Sequence, residues 1–280
     1  MKPTTTISSA GISSFASSRG ELAVYERGQG PPVLLLHGIP GSASVWDPIA
    51  ERLAMGHRVL AVDLLGFGGS ARSRDPEQLW ADSQAAAIAE LLENLAPEGA
   101  GVVGHDFGGP VALALIAQRA DLVSHLALCA SNAWSDTPIP LPIAAVTWPG
   151  IGHLAEHLLF ARPSLRLMLK QGTGHGEQLD ADRYLGDGEQ QHAIRIIFAT
   201  ALREIRKRYA PMEATLRQVD VPTLVAWGDA DPFFAVEQGE KTAAAIPGAR
   251  FALYRGCGHF IPEERPSELG ADLERLLANQ

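Results

Sequence analysis

Six short apolar runs, bounded by Gly, Pro and Asp, punctuate the chain: PVLLLHG (32–38), HRVLAVDL (57–64), AGVVGHD (100–106), SHLALCAS (124–131), PTLVAWGD (222–229) and RFALYRG (250–256). Runs of this length without polar alternation read as strands buried on both faces. That kind of burial belongs to parallel sheets. Between the runs, segments 80–95, 109–119, 236–246 and 266–277 have helical character. Strand and helix in alternation predict an α/β fold, with a mostly parallel sheet covered by helices on both faces.

The alternation stops at residue 132 and resumes near 220. The intervening stretch opens with the Pro-rich SDTPIPLPIAAVTWPG and continues as helix-like sequence such as HAIRIIFATALREIRKRY. No strand signal interrupts it. Residues 1–131 and 220–280 are therefore expected to build one core, with 132–219 inserted as a helical cap, or lid. No internal repeat is visible, and the first 18 residues are the one Ser/Thr-rich tract.

Several function classes can be set aside. A formal charge of −9 disfavours nucleic acid and anionic membrane surfaces as partners. The two cysteines, Cys129 and Cys257, are too few for a disulfide framework and lack metal-type spacing. No stretch approaches the roughly 18 uncharged apolar residues of a membrane span. The polar N-terminus lacks the apolar segment of a secretory signal. The expectation is a soluble cytoplasmic protein, a monomer or a homodimer, with no metal.

The run that ends at Asp106 carries the first chemical signal. In VVGHDFGG (102–109), an aspartate sits in a glycine-rich turn between a strand and the apolar helix GGPVALALIAQRA. Ligands of parallel sheets bind at the carboxyl ends of strands, where this turn falls. Glycines allow the close backbone approach and strained conformation of such a turn. Taken alone, Asp106 is better explained as the N-cap of the helix that follows.

Three further segments favour the chemical reading. HGIPGS (37–42) follows a strand directly. GDADPFF (228–234) and GCGHFIPEERP (256–266) lie at the ends of two later strands and supply an acid, Asp229 or Asp231, and then His259. Nucleophile, acid and histidine in that chain order, with the nucleophile on a strand–turn–helix elbow, define a hydrolase triad.

These segments resemble the α/β-hydrolase fold over about residues 20–277, and DLLGFGGS (63–70) is similar to another stretch common in that fold. The aspartate at the elbow narrows the resemblance to the epoxide hydrolase and haloalkane dehalogenase branches. HGIP resembles the H-G-x-P motif of epoxide hydrolases, and GHDFGG resembles their elbow. The resemblance implies that Asp106 is the nucleophile and that His259 is the base. It implies that the G-x-x-D spacing selects Asp231 over Asp229 as the acid, and that the backbone N–H groups of Ile39 and Phe107 form the oxyanion hole. Cys257, two residues from His259, reads as a small buried residue rather than a thiol nucleophile.

An aspartate is already ionised at neutral pH, so it can attack a saturated carbon that carries a leaving group and form an alkyl ester. The histidine then activates the water that hydrolyses the ester. The leaving group decides the branch. Epoxide hydrolases use two lid tyrosines to hold the oxirane oxygen, and dehalogenases use Trp or Asn N–H groups to hold halide. Phe107, where both branches usually carry Trp, has no side-chain donor, which counts against a halide site. It also departs from the Arg found there in fluoroacetate dehalogenases. Donor candidates in the insert are Tyr184, Tyr209 and Trp148. The reading is an epoxide hydrolase that forms a vicinal diol without a cofactor; the alternatives are a haloalkane or haloacid dehalogenase, or a non-catalytic binding protein of the same fold. The apolar lid (LPIAAVTW, HLLF, IRIIFATAL) points to a small hydrophobic substrate, aromatic or polycyclic.

Overall fold

The computed structural model describes residues 5–7, 11–139, 141–174 and 179–278, so part of the Ser/Thr-rich N-terminal tract lies outside the described residues. Its strands are β1 (Thr5–Ile7), β2 (Ile12–Ser17), β3 (Gly20–Arg27), β4 (Pro32–Leu36), β5 (Arg58–Val62), β6 (Ala100–His105), β7 (Val123–Cys129), β8 (Thr223–Gly228) and β9 (Arg250–Tyr254). Among the described residues they form one nine-stranded sheet in the order β1-β2-β3-β5-β4-β6-β7-β8-β9. From β5 to β9 every neighbouring pair is parallel.

All six apolar runs are strands of that parallel part. β6 and β8 are buried along their whole length, as uninterrupted apolar sequence requires when helices cover both faces. The remaining strands, β1 to β3, form an antiparallel edge joined to β5. These were not among the predicted runs. In β2 and β3, Phe15, Leu22 and Val24 are buried while neighbours such as Ile12 and Glu21 are exposed. An edge covered on one face reads as a weak alternation, not as a run.

The helices between the core strands are α1 (Asp47–Leu53), α2 (Pro76–Leu79), α3 (Ala81–Leu95), α4 (Gly108–Arg119) and later α11 (Val236–Ala245), and α12 (Ile261–Glu264) and α13 (Pro266–Leu277) follow β9. The connection from β7 to β8 carries α5 (Leu141–Ala144), α6 (Gly152–Leu159), α7 (Arg162–Gln171), α8 (Ala181–Leu185), α9 (Gly188–Arg203) and α10 (Ile205–Leu216), with no strand among its described residues. No helix among the described residues is long and apolar enough to cross a membrane.

The strand order places the site. From β4 the chain moves to β5 on one side and then returns to β6 on the other. Connections leaving β4 and β6 diverge there, which opens a crevice at their carboxyl ends. Leu36 is paired with Gly104, so His37–Ile39 and Asp106 emerge side by side.

Candidate active site

The elbow after β6 is built from close backbone approaches. A Cβ on Gly104 would stand 2.5 Å from the Gly108 carbonyl, and one on Gly108 would stand 2.3 Å from the Leu36 oxygen. With nothing larger than hydrogen at these positions, the turn can reverse within one residue, and that residue is Asp106 at φ +48°. Its side chain does not cap α4. Instead its Oδ1 accepts a 2.7 Å hydrogen bond from the Ile39 N–H in the loop after β4. The N-cap alternative is thereby excluded.

Loops from two further strand ends complete the group. His259 directs Nε2 at Asp106 Oδ2 across 3.6 Å, and its Nδ1 lies 2.9 Å from Asp231 Oδ2. Asp231 is itself fixed, because its Oδ1 accepts from the N–H groups of Phe233 (2.8 Å) and Phe234 (3.1 Å). Asp229 turns away to the Gly256 N–H and is not the partner of His259. Phe233, Phe234 and Phe260 set their rings edgewise to the imidazole, with centroids 5.1–5.5 Å away. Cys257 is fully buried.

Burial opposes charge on both central groups, yet each is held charged by the other. Desolvation would lower the His259 pKa, but Asp231 and then Asp106 outweigh it and raise it to about 10. Desolvation would raise the Asp106 pKa, but His259 outweighs it and holds the carboxyl below its ordinary range. The directions of these shifts favour a carboxylate–imidazolium pair in the resting site.

The loop after β4 is held by two side chains. Buried His37 accepts from the Leu64 N–H at Nε2 (3.0 Å), so its Nδ1 carries the proton facing the Gly38 carbonyl (2.7 Å). Asp63 accepts from the Ala43 N–H (2.7 Å), the Gly69 N–H (2.8 Å) and the Tyr25 hydroxyl (2.9 Å). These contacts give HGIPGS and DLLGFGGS a structural purpose: together they hold Ile39 where its N–H meets Asp106.

A cavity of about 170 Å³ lies over Asp106. Its floor is Ile39, Asp106, Phe107 and His259, and its walls include Ile143, Phe160, Met168, Phe198 and Tyr209 from the β7–β8 connection. The walls are apolar apart from Asn132, Thr137 and the Tyr209 phenol. Burial first, and then the charge of Asp106, push that phenol well above its usual pKa, with Asn132 acting in the opposite direction.

The other two donor candidates are corrected. Tyr184 is absent from the cavity wall, and its hydroxyl donates to Glu263 on the far side of Phe260. Trp148 is half exposed and also lies off the cavity. Both belong to the helical connection, where sequence does not say which face turns inward. Asn132 and the Phe233 and Phe234 N–H groups were missed. Their signal was position, since each lies in the loop that follows a strand's carboxyl end. Among the described residues, no group of three or more His, Cys, Asp or Glu is placed to hold a metal ion.

Residues 33–273 match the model of the alpha/beta hydrolase family. The chain belongs to that family. Its sheet, with flanking helices, is the α/β-hydrolase fold, and other members are similar over nearly its whole length. Haloalkane dehalogenase 2 of Mycobacterium tuberculosis is 27% identical over 265 residues, covering 92% of this chain and 91% of that protein. The 2-hydroxymuconate semialdehyde hydrolase of Pseudomonas putida is 28% identical over 260 residues, covering 91% and 90%. Among solved structures, the epoxide hydrolase CorEH superposes with a TM-score of 0.80 over 95% of this chain and 98% of that one, at 22% identity.

Proposed function

We propose that this hydrolase opens an apolar epoxide to a vicinal diol, with Asp106 as nucleophile, His259 as base, Asp231 as its partner and Tyr209 as the acid that meets the leaving oxygen. In this reading the β7–β8 helices are a cap that supplies the apolar wall and the phenol. The observation that carries it is the placement of Tyr209, the one phenol lining the cavity among the described residues, in the same apolar cavity as Asp106. A haloalkane site would need N–H donors there; Ile39 and Phe107 beside the nucleophile have apolar side chains, and the Asn132 amide in the cavity already donates to the Trp134 carbonyl at 3.2 Å.

The steps follow from the charges. Oδ1 of Asp106 is engaged by Ile39, so Oδ2 attacks the oxirane carbon; the C–O bond breaks and the alkoxide takes the Tyr209 proton. Esterification removes the charge of Asp106, which had raised the pKa of both His259 and Tyr209. The phenol is thus made more acidic as it gives up its proton, and His259 then releases its own, restoring the phenol. Neutral His259 takes a proton from water, the hydroxide adds to the Asp106 carbonyl carbon, and the Ile39 and Phe107 N–H groups hold the oxyanion on Oδ1. Collapse expels the diol and returns the carboxylate and the imidazolium. One water is consumed and no net proton leaves the site.

The test is product analysis with aryl epoxides and with chloro- and bromoalkanes, plus a single turnover in ¹⁸O-water. The expected outcome is a diol whose new oxygen is unlabelled on the first turnover, label in the enzyme, and no halide. Halide release without diol formation would move the protein to the dehalogenase branch. Label in the first-turnover diol would make Asp106 a base instead of a nucleophile. Inertness toward both classes would overturn this reading.

A further inference from the structure

His259 is carried by a loop that one buried carboxylate holds from both sides. Glu264, 5% exposed, accepts from the Gly258 N–H at Oε2 (2.9 Å) and from the Phe260 N–H at Oε1 (3.1 Å), the residues before and after the histidine. Oε2 also accepts a 2.7 Å bond from the Gly174 N–H, in the segment after α7. The same segment returns a contact of its own, since the His259 N–H donates to the Gly172 carbonyl at 2.7 Å. The two backbones touch closely enough that a Cβ on Gly258 would lie 2.2 Å from the Gly172 oxygen, and one on Gly174 would lie 2.2 Å from the Gly256 oxygen. The imidazole therefore has two supports: Asp231 fixes the ring, and Glu264 fixes the backbone that carries it.

We propose that Glu264 is a positioning residue for His259, clamping the 258–260 backbone against the segment after α7 so that Nε2 stays over Asp106 during hydrolysis of the ester. Three N–H groups converge on two oxygens, and only a carboxylate satisfies all of them. In Glu264→Gln, an amide NH₂ must face either Phe260 or the Gly174–Gly258 pair, donor against donor. The loop then shifts. Attack by Asp106 needs the carboxylate and the phenol, whereas hydrolysis needs a base aimed at one water. A displacement of less than about 1 Å costs up to ~100-fold in such a step. The two steps should thus separate.

This inference rests on the proposed two-step reaction, so one readout is chosen that does not. In ligand-free protein, proton NMR follows the downfield Nδ1–H resonance of His259 held by Asp231. With an aryl epoxide, quenched-flow and intact mass follow formation and decay of the Asp106 adduct. For Glu264→Gln we expect the downfield resonance to move, adduct decay to slow about tenfold, and adduct formation to stay within about twofold. Glu264→Asp keeps the charge but shortens its reach, so it should show the same pattern with smaller amplitude. It also serves if the glutamine variant does not fold. An unmoved resonance overturns the proposal, as do rate constants that stay unchanged or fall by the same factor. If the wild type forms no adduct at all, the proposed reaction fails, and the resonance alone still decides the role of Glu264.

Discussion

Asp106 Oδ2 stands 3.6 Å from His259 Nε2, while the other oxygen of the same carboxylate is tied to the Ile39 N–H at 2.7 Å. The two oxygens are therefore not equivalent. One is free to form a bond, and the other already rests where negative charge would gather if water attacked the carbonyl carbon. Asp106→Asn keeps the shape but removes the charge. Turnover is expected to fall at least about 10⁴-fold, as when a catalytic unit loses its nucleophile. Full activity, after checking by mass that the amide has not reverted to Asp, would remove the mechanism.

The division of labour between the two steps predicts a trapped species in a second variant. His259→Gln should still be alkylated and then stall, so the protein gains the mass of one intact epoxide on the peptide that carries Asp106. If denatured protein from a reacting sample carries no adduct, His259 does not serve the second step alone.

Tyr209 lines the cavity and Tyr184 does not, so their phenylalanine variants should differ in kind. Tyr209→Phe should slow alkylation by about 10²-fold, the usual cost of one donor at developing oxyanion charge. Tyr184→Phe should leave alkylation within about twofold. Its hydroxyl donates to the partly buried Glu263, so it should lower stability by about 1–2 kcal/mol. Equal kinetic effects from the two substitutions would contradict the cavity described above.

The raised pKa of His259 has a definite sign in the pH dependence of folding. Because the folded value of about 10 lies above the ordinary 6.5, the contribution to stability is fully present below about pH 6.5 and is lost as pH rises toward 10. Asp106 supplies part of that raise. The stability difference between wild type and Asp106→Asn should therefore shrink as pH rises from 7 to 10, measured by denaturant unfolding at each pH. A difference that is flat, or that grows, would show that the pair is not charged in the resting protein.

The local pattern of the chain determined the strands of the parallel core, the elbow at Asp106 and the strand-end positions of Asp231 and His259. Each rests on short-range physics: a run of apolar residues is a doubly covered strand, and Gly104 and Gly108 permit one tight reversal. Even there a gap remained, since Ser-rich β2 and half-exposed β3 carry too little apolar contrast to be read as strands. Tertiary structure decided the rest. Whether Asp229 or Asp231 meets His259 depends on how two loops pack, and the phenyl-flanked imidazole receives only the second. Which of Tyr184, Tyr209 and Trp148 reaches the cavity depends on how the segments of the β7–β8 connection turn as they pack over the strand ends. A residue's place in sequence is not coupled to that packing. The clamp of Glu264 on Gly174, Gly258 and Phe260 reaches a backbone group 90 residues away in the chain, and only the folded chain brings these groups within hydrogen-bonding distance.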